Sequence, residues 1–169
     1  MKQKIAWITG YSGYIEPLEE RLREERFTVE RFECLIPALR AFDTTRYDAI
    51  IIDPMVAPGL IKSKEIRVGY EPGPSSNDPR IEAIAKEYRG QNRNPDYWKF
   101  AMYAIEVAHG PTSPNARTPI LVVGMNHEKR DFLFPNAEET CKAAGAIDYY
   151  NIGRDERYNA VIRDILNRK

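Results

Sequence analysis

The chain has 169 residues, 43 % of them apolar and 30 % charged, which is enough to bury one sizeable core and predicts a single domain over 1–169. Lys+Arg and Asp+Glu each number 25, so the net charge is zero and there is no broad basic field to draw the whole chain to nucleic acid or to an anionic membrane. No apolar run approaches the ~20 residues of a membrane span, and the opening MKQKIAWITG has no signal-peptide core, so a cytoplasmic protein is expected.

Residues 4–9 (KIAWIT) read as an apolar strand ending at Gly10. A helix follows in YSGYIEPLEERLREERF, with Pro17 where a first turn tolerates it and Leu18 and Leu22 on one face. Residues 28–34 (TVERFEC) are strand-like but charged, which suits a sheet edge. Pro37 is expected to open a short helix, PALRAF.

The most informative stretch comes next, YDAIIIDPMVAPG at 47–59. A polar pair leads into the apolar residues Ala49, Ile50, Ile51 and Ile52, and the run stops on Asp53. Such a run is what a strand buried on both faces requires. Pro54 holds Asp53 extended. Asp53 is thereby placed at the carboxyl end of a central strand, where open α/β sheets carry their ligand sites; capping of the following turn is its plainer role.

The stretch between Gly59 and Asp96 is far longer than an ordinary strand-to-helix connection. An insertion at about 60–95 is expected, Gly/Pro-rich in the middle and anchored by Ile66, Val68, Tyr70, Ile81 and Ile84, with a short helix over 80–89. It is expected to cover the mouth beside Asp53.

The pattern then resumes. Residues 96–108 carry Tyr97, Phe100, Ala101, Ala104, Ile105 and Ala108 at helical spacing, and PILVV at 119–123 is a second fully apolar strand ending at Gly124. Asn136 with Glu139 three residues on predicts a capping box for NAEETCKAAG, closed by Gly145. A fifth strand is expected at 147–151 (IDYYN), then a terminal helix with Tyr158, Val161, Ile162, Ile165 and Leu166 in one stripe. Strands alternating with helices predict an α/β, doubly wound, five-stranded parallel sheet of order 2-1-3-4-5 with helices on both faces.

Cys34 and Cys141 have no metal-ligand spacing and sit in apolar settings, so two buried free thiols are expected, and surface or loop placement for His109 and His127. TGYSGYIE at 9–16 has two glycines of a dinucleotide-binding turn, Gly10 and Gly13, but Glu16 stands where a third would allow close helix–strand packing, which argues against that ligand. The cluster Arg89, Arg93 and Lys99, interleaved with Tyr88, Tyr97 and Trp98, is expected to be an amphipathic surface rather than a nucleic-acid site.

The order of elements, together with YDAIIIDPMVAPG, TPILVVG and AAGAIDYYNIG, resembles the receiver domain of bacterial two-component response regulators (CheY-like). The resemblance covers nearly all the chain outside the insertion. It implies a flavodoxin-like sheet, Asp53 at the phosphoacceptor position, and magnesium-dependent phosphoryl transfer from a histidine kinase, the ion neutralising charge between carboxylate and phosphoryl group. Receivers also carry an acidic pair after strand one, a Ser or Thr after strand four and a Lys after strand five. This chain has Thr9, Gly10 and Tyr11 at the first place, Gly124 at the second, and Ile152 or Asn151 at the third, with Gly153 for the usual Pro. Of that polar set only Asp53 is present. The expectation is a pseudo-receiver: a signalling or interaction module without phosphorylation, no catalytic residue, no resident metal or cofactor (magnesium only if Asp53 is phosphorylated), and a protein as partner, a second copy of the chain included. The pocket residues expected at the carboxyl edge are Thr9, Gly10, Tyr11, Asp53, Gly124, Asn126 and Asn151. Two alternatives remain open: a still phosphorylatable response regulator, and a nucleotide- or sugar-directed enzyme of flavodoxin-like fold, which would need Ser12, Tyr11, Asn126 or Glu16 to converge on Asp53.

Overall fold

A computed structural model describes residues 3–9, 16–54, 56, 98–124, 136–151 and 158–167. The strands are β1 (Lys4–Ile8), β2 (Thr28–Phe32), β3 (Ala49–Ile52), β4 (Ile120–Gly124) and β5 (Asp148–Asn151). The helices are α1 (Glu16–Glu24), α2 (Leu35–Phe42), α3 (Trp98–Ala108), α4 (Ala137–Ala144) and α5 (Tyr158–Asn167). The strands form one sheet in the order β2-β1-β3-β4-β5, parallel throughout. This is the expected doubly wound architecture, with the charged strand β2 at an edge.

The central strand is buried on both faces, as its composition requires. Ile50 and Ile52 face a core shared with α2, α3 and α4 through Phe42, Phe100, Ile105 and Cys141. Ala49 and Ile51 face the other core, built from Leu18 and Leu22 of α1 and Val161, Ile162 and Ile165 of α5. Each isoleucine so removed from water contributes roughly 1.5–3 kcal/mol, so the strand is held from both sides, and a slip by one residue would carry the flanking Asp48 or Asp53 toward the core.

Tyr47 departs from the expected polar lead-in. It is only 1 % exposed, edge-on to Phe42, with its hydroxyl donating to Glu30 at 2.8 Å. Both cysteines are buried and free, as expected, and burial pushes the Cys141 thiol up to about 12.

Several ends differ from expectation. Helix α2 starts at Leu35, so Pro37 is its third residue; the position still lies in the first turn, where a missing N–H costs no intrahelical bond. Strand β2 stops at Phe32, and in place of a further ladder bond Thr9 N–H reaches Phe32 O at 2.8 Å. The capping box does not form. Asn136 has left-handed backbone angles (φ 53, ψ 39) and makes no side-chain cap bond. A cap side chain reaches the first-turn N–H groups from extended backbone, and the left-handed turn aims it elsewhere. The far end of α4 is as expected: Gly145 at φ 111 donates to Lys142 O while Ala146 donates to Cys141 O, both at 3.0 Å, a Schellman closure.

His109, just past α3, is half-buried, with Nε2 3.0 Å from Thr118 O. The insertion at about 60–95, the short helix over 80–89 and His127 lie outside the described residues.

Candidate functional site

Parallel pairing brings the carboxyl ends of four strands to one edge. Ile8 pairs with Ile52, Ile52 with Val122, and Gly124 with Asn151. The residues that follow or end these strands are Thr9, Asp53, Gly124 and Asn151, so four of the expected pocket positions do share that edge. Gly10, Tyr11 and Asn126, and with them Ser12, lie outside the described residues, while Glu16 opens α1.

Asp53 is held by its backbone before its side chain is considered. Its N–H donates to Ile8 O at 2.9 Å, and its carbonyl accepts the Val56 N–H at 3.2 Å, closing a turn over Pro54. The residue is 7 % exposed. Its Oδ2 stands 3.4 Å from the hydroxyl of Thr9, a long, weak donor contact within the buried edge. Thr9 is wholly buried. This carboxylate thus stands at the rim of the sheet, not in mid-strand.

Gly124 has a further role that residue type alone did not show. A Cβ placed on it would come 2.6 Å from the Tyr149 hydroxyl and 3.2 Å from Cγ of Pro54. Tyr149 reaches there because it pairs with Val122, which lies two residues before Gly124 on β4. Tyr149 and Pro54 are therefore the flanking residues that sequence reasoning missed. The available signal was the period of two along β4, which puts Val122, the partner of Tyr149, on the face of position 124.

Elsewhere, Lys99 Nζ lies 5.8 Å from the centre of the Trp98 ring on half-buried positions of α3; the other members of that basic–aromatic cluster lie outside the described residues. Tyr150 donates its hydroxyl to Asp164, tying β5 to α5, and burial followed by that bond raises the phenol above its usual range. Among the described residues no group of three or more His, Cys, Asp or Glu is placed to hold a metal ion, and no helix is long and apolar enough to cross a membrane.

No family model matches the sequence, and no curated protein matches it. Solved structures do. The receiver domain of the sensor histidine kinase PA1611 from Pseudomonas aeruginosa PAO1, with a magnesium ion coordinated in its active site cleft, superposes with a TM-score of 0.59 at 17 % identity, over 99 % of this chain and 97 % of that one. The chemotaxis response regulator CheY4 of Vibrio cholerae gives 0.60 at 13 % identity, over 98 % and 99 %. A putative response regulator from Chloroflexus aurantiacus J-10-fl gives 0.61 at 16 %, over 99 % and 100 %. The fold is that of a receiver domain. At these identities the likeness establishes the fold alone.

Proposed function

We propose that this chain is a receiver-like signalling module that works by contact with a protein partner and has lost magnesium-dependent phosphorylation of Asp53. The observation that carries the reading is the make-up of the carboxyl edge. Asp53 stands at the strand end where the resemblance puts a phosphoacceptor, but the residues around it are not those the chemistry needs. Magnesium prefers near-octahedral oxygen coordination and is held in proteins by carboxylates and water. Among the described residues the oxygen donors brought together at this edge are Asp53 and the hydroxyl of Thr9, and the positions that follow in the chain, Gly10 and Tyr11, carry no acid. The donor set does not fit the ion. Gly124 offers no hydroxyl of its own to a phosphoryl oxygen, and Asn151 or Ile152 offers no ammonium.

The insertion at about 60–95 is the segment the receiver pattern does not supply, and its mixture of Ile66, Val68, Tyr70 and Tyr88 with polar residues suits a contact surface. We assign partner binding to it.

The deciding experiment is incubation of the purified chain with acetyl phosphate and magnesium beside an Asp53→Asn control, with intact mass as readout. The expected result is equal mass for both proteins, and no change in the amide resonances around Asp53 on titration with beryllofluoride and magnesium. A phosphoryl adduct that appears in the wild type and is absent from the control would establish a working response regulator instead.

A further inference from the structure

We propose that the free edge of β2 receives an extended segment of a protein partner as a sixth, antiparallel strand, with an aspartate or glutamate of that segment opposite Arg31. β1 separates β2 from the strand that carries Asp53, and the proposal stands whether or not Asp53 accepts phosphate.

β2 ends the strand order, and among the described residues no strand pairs with its outer side. The bonds to β1 fix which backbone groups are turned outward. Thr28 N–H donates to Gln3 O, and Phe32 O accepts the Thr9 N–H, both at 2.8 Å. In a parallel ladder, residues two apart point their N–H and C=O the same way, so Thr28, Glu30 and Phe32 turn theirs toward β1. Val29 and Arg31 turn theirs away, and these are the positions at which a further strand bonds.

The charges on this strand are unequally satisfied. Glu30 is held by Lys4 Nζ at 2.6 Å and by the Tyr47 hydroxyl at 2.8 Å. Arg31, on the other face, has Glu19 Oε2 at 4.0 Å, beyond hydrogen-bond distance. Glu19 is already engaged by Arg23, 2.6 Å from Oε1, so two guanidinium groups share one carboxylate. Arg31 Nε is buried and has no hydrogen-bond partner among the described residues. A buried donor left unpaired is costly, and a second carboxylate meets both deficits.

An antiparallel residue directly across from Arg31 exchanges both backbone bonds with it and projects from the same face. An acid there reaches the guanidinium and can pair with it as a fork. Two residues further along, the added strand stands opposite Val29, which is half-buried against the α1–α5 core and suits an apolar neighbour. The residue between them faces Glu30 and is basic or neutral. The pattern recognised is therefore acid, non-acid, apolar. A second copy of β2 does not supply it, because a twofold pairing centred on Glu30 or on Arg31 sets like charges opposite one another.

The test is a titration of the full chain with the end-capped peptide TVEKVTV, read by NMR, beside TVQKVTV, in which the acid is replaced by its amide. TVEKVTV is expected to shift the Val29 and Arg31 amides, slow their hydrogen exchange and shift the Arg31 Nε–H. TVQKVTV is expected to bind about tenfold more weakly, the size of a hydrogen bond to a charged group. Arg31→Gln is expected to abolish the difference between the peptides. Where that variant fails to fold, Arg31→Lys, which keeps the charge without the fork, is expected to narrow it. Equal affinity of the two peptides for the wild type, shifts centred on β5, no binding of TVEKVTV, or a preference for it that survives Arg31→Gln would overturn the inference. None of these results bears on the acetyl phosphate experiment at Asp53.

Discussion

The hydroxyl of Thr9 and the carboxylate of Asp53 meet at 3.4 Å across the carboxyl ends of β1 and β3, 44 residues apart in sequence. The contact is long, so its net contribution is small, at or below the ~1 kcal/mol of an ordinary hydrogen bond. Thr9→Val keeps the shape and removes the donor. It is expected to cost about 1 kcal/mol, a loss of roughly 2–4 °C in Tm for a chain of this size. Asp53→Asn retains an acceptor oxygen and is expected to stay within ~0.5 kcal/mol of the wild type. Thermal denaturation of both variants checks this; a Thr9→Val protein as stable as the parent would remove the contact from the account.

The opposite end of the sheet is pinned more firmly. Asn115 is fully buried. Its Oδ1 accepts the Tyr47 N–H at 2.8 Å, and its Nδ2 donates to Thr45 O at 2.8 Å and Phe42 O at 3.2 Å. Thr118 adds a bond to Tyr47 O at 2.9 Å. Together they lock the α2–β3 and α3–β4 connections. Asn115→Ala leaves these backbone groups unpaired and is expected to cost about 3 kcal/mol, near 10 °C in Tm. Asn115→Asp is expected to fare no better, since a carboxylate cannot donate to the Phe42 and Thr45 carbonyls.

Two helix ends predict changes of opposite sign. Arg26 has φ 71, and the bonds from its N–H to Arg23 O and from Phe27 N–H to Leu22 O, both 3.0 Å, form the same closure that Gly145 makes after α4. A non-glycine residue in left-handed backbone is strained, so Arg26→Gly is expected to stabilise the chain by up to ~1 kcal/mol. Gly145→Ala meets both that strain and His109 Nδ1, 2.9 Å from its new Cβ. It is expected to destabilise by about 1–2 kcal/mol. Denaturant midpoints at unchanged m-value are the measurement.

Glu30 sets a mild acid dependence. A hydrogen bond from Lys4 holds its carboxyl below the usual 4.5; burial opposes this and the Tyr47 hydroxyl assists it. A carboxylate with a lowered folded-state pKa adds stability that is present above 4.5 and is lost as pH falls through the folded value. The Lys4–Glu30 pair is more than a third exposed, so solvent screening keeps the effect under ~1 kcal/mol. Glu30→Gln is expected to lower Tm at pH 6 and to converge with the wild type as the pH falls below the lowered folded-state value. A constant gap across that range would refute the assignment.

The strands and most helices were legible because their signals are local. AIII before Asp53 reads as a doubly buried strand without its neighbours, the charged run at 28–34 reads as an edge, and alternation of elements leaves little choice of sheet order once crossovers must be right-handed. Asp53 at the carboxyl rim follows from the same local reasoning, since a strand's end is written where its apolar run stops. The Asn136 cap failed as a reading because a box pattern names residue types, whereas φ decides whether the side chain can reach the helix. Tyr47 read as a polar lead-in, yet it is buried because Glu30, from another strand, satisfies its hydroxyl. The flank of the site shows the same division most sharply. In sequence Gly124 is only a residue without a side chain; the pairing of β4 with β5 reveals that the Tyr149 hydroxyl stands beside it. Local periodicity determines which elements form and where they end. Which side chain fills a given volume is decided by residues that the fold brings together from afar, as it brings Tyr149 to Gly124.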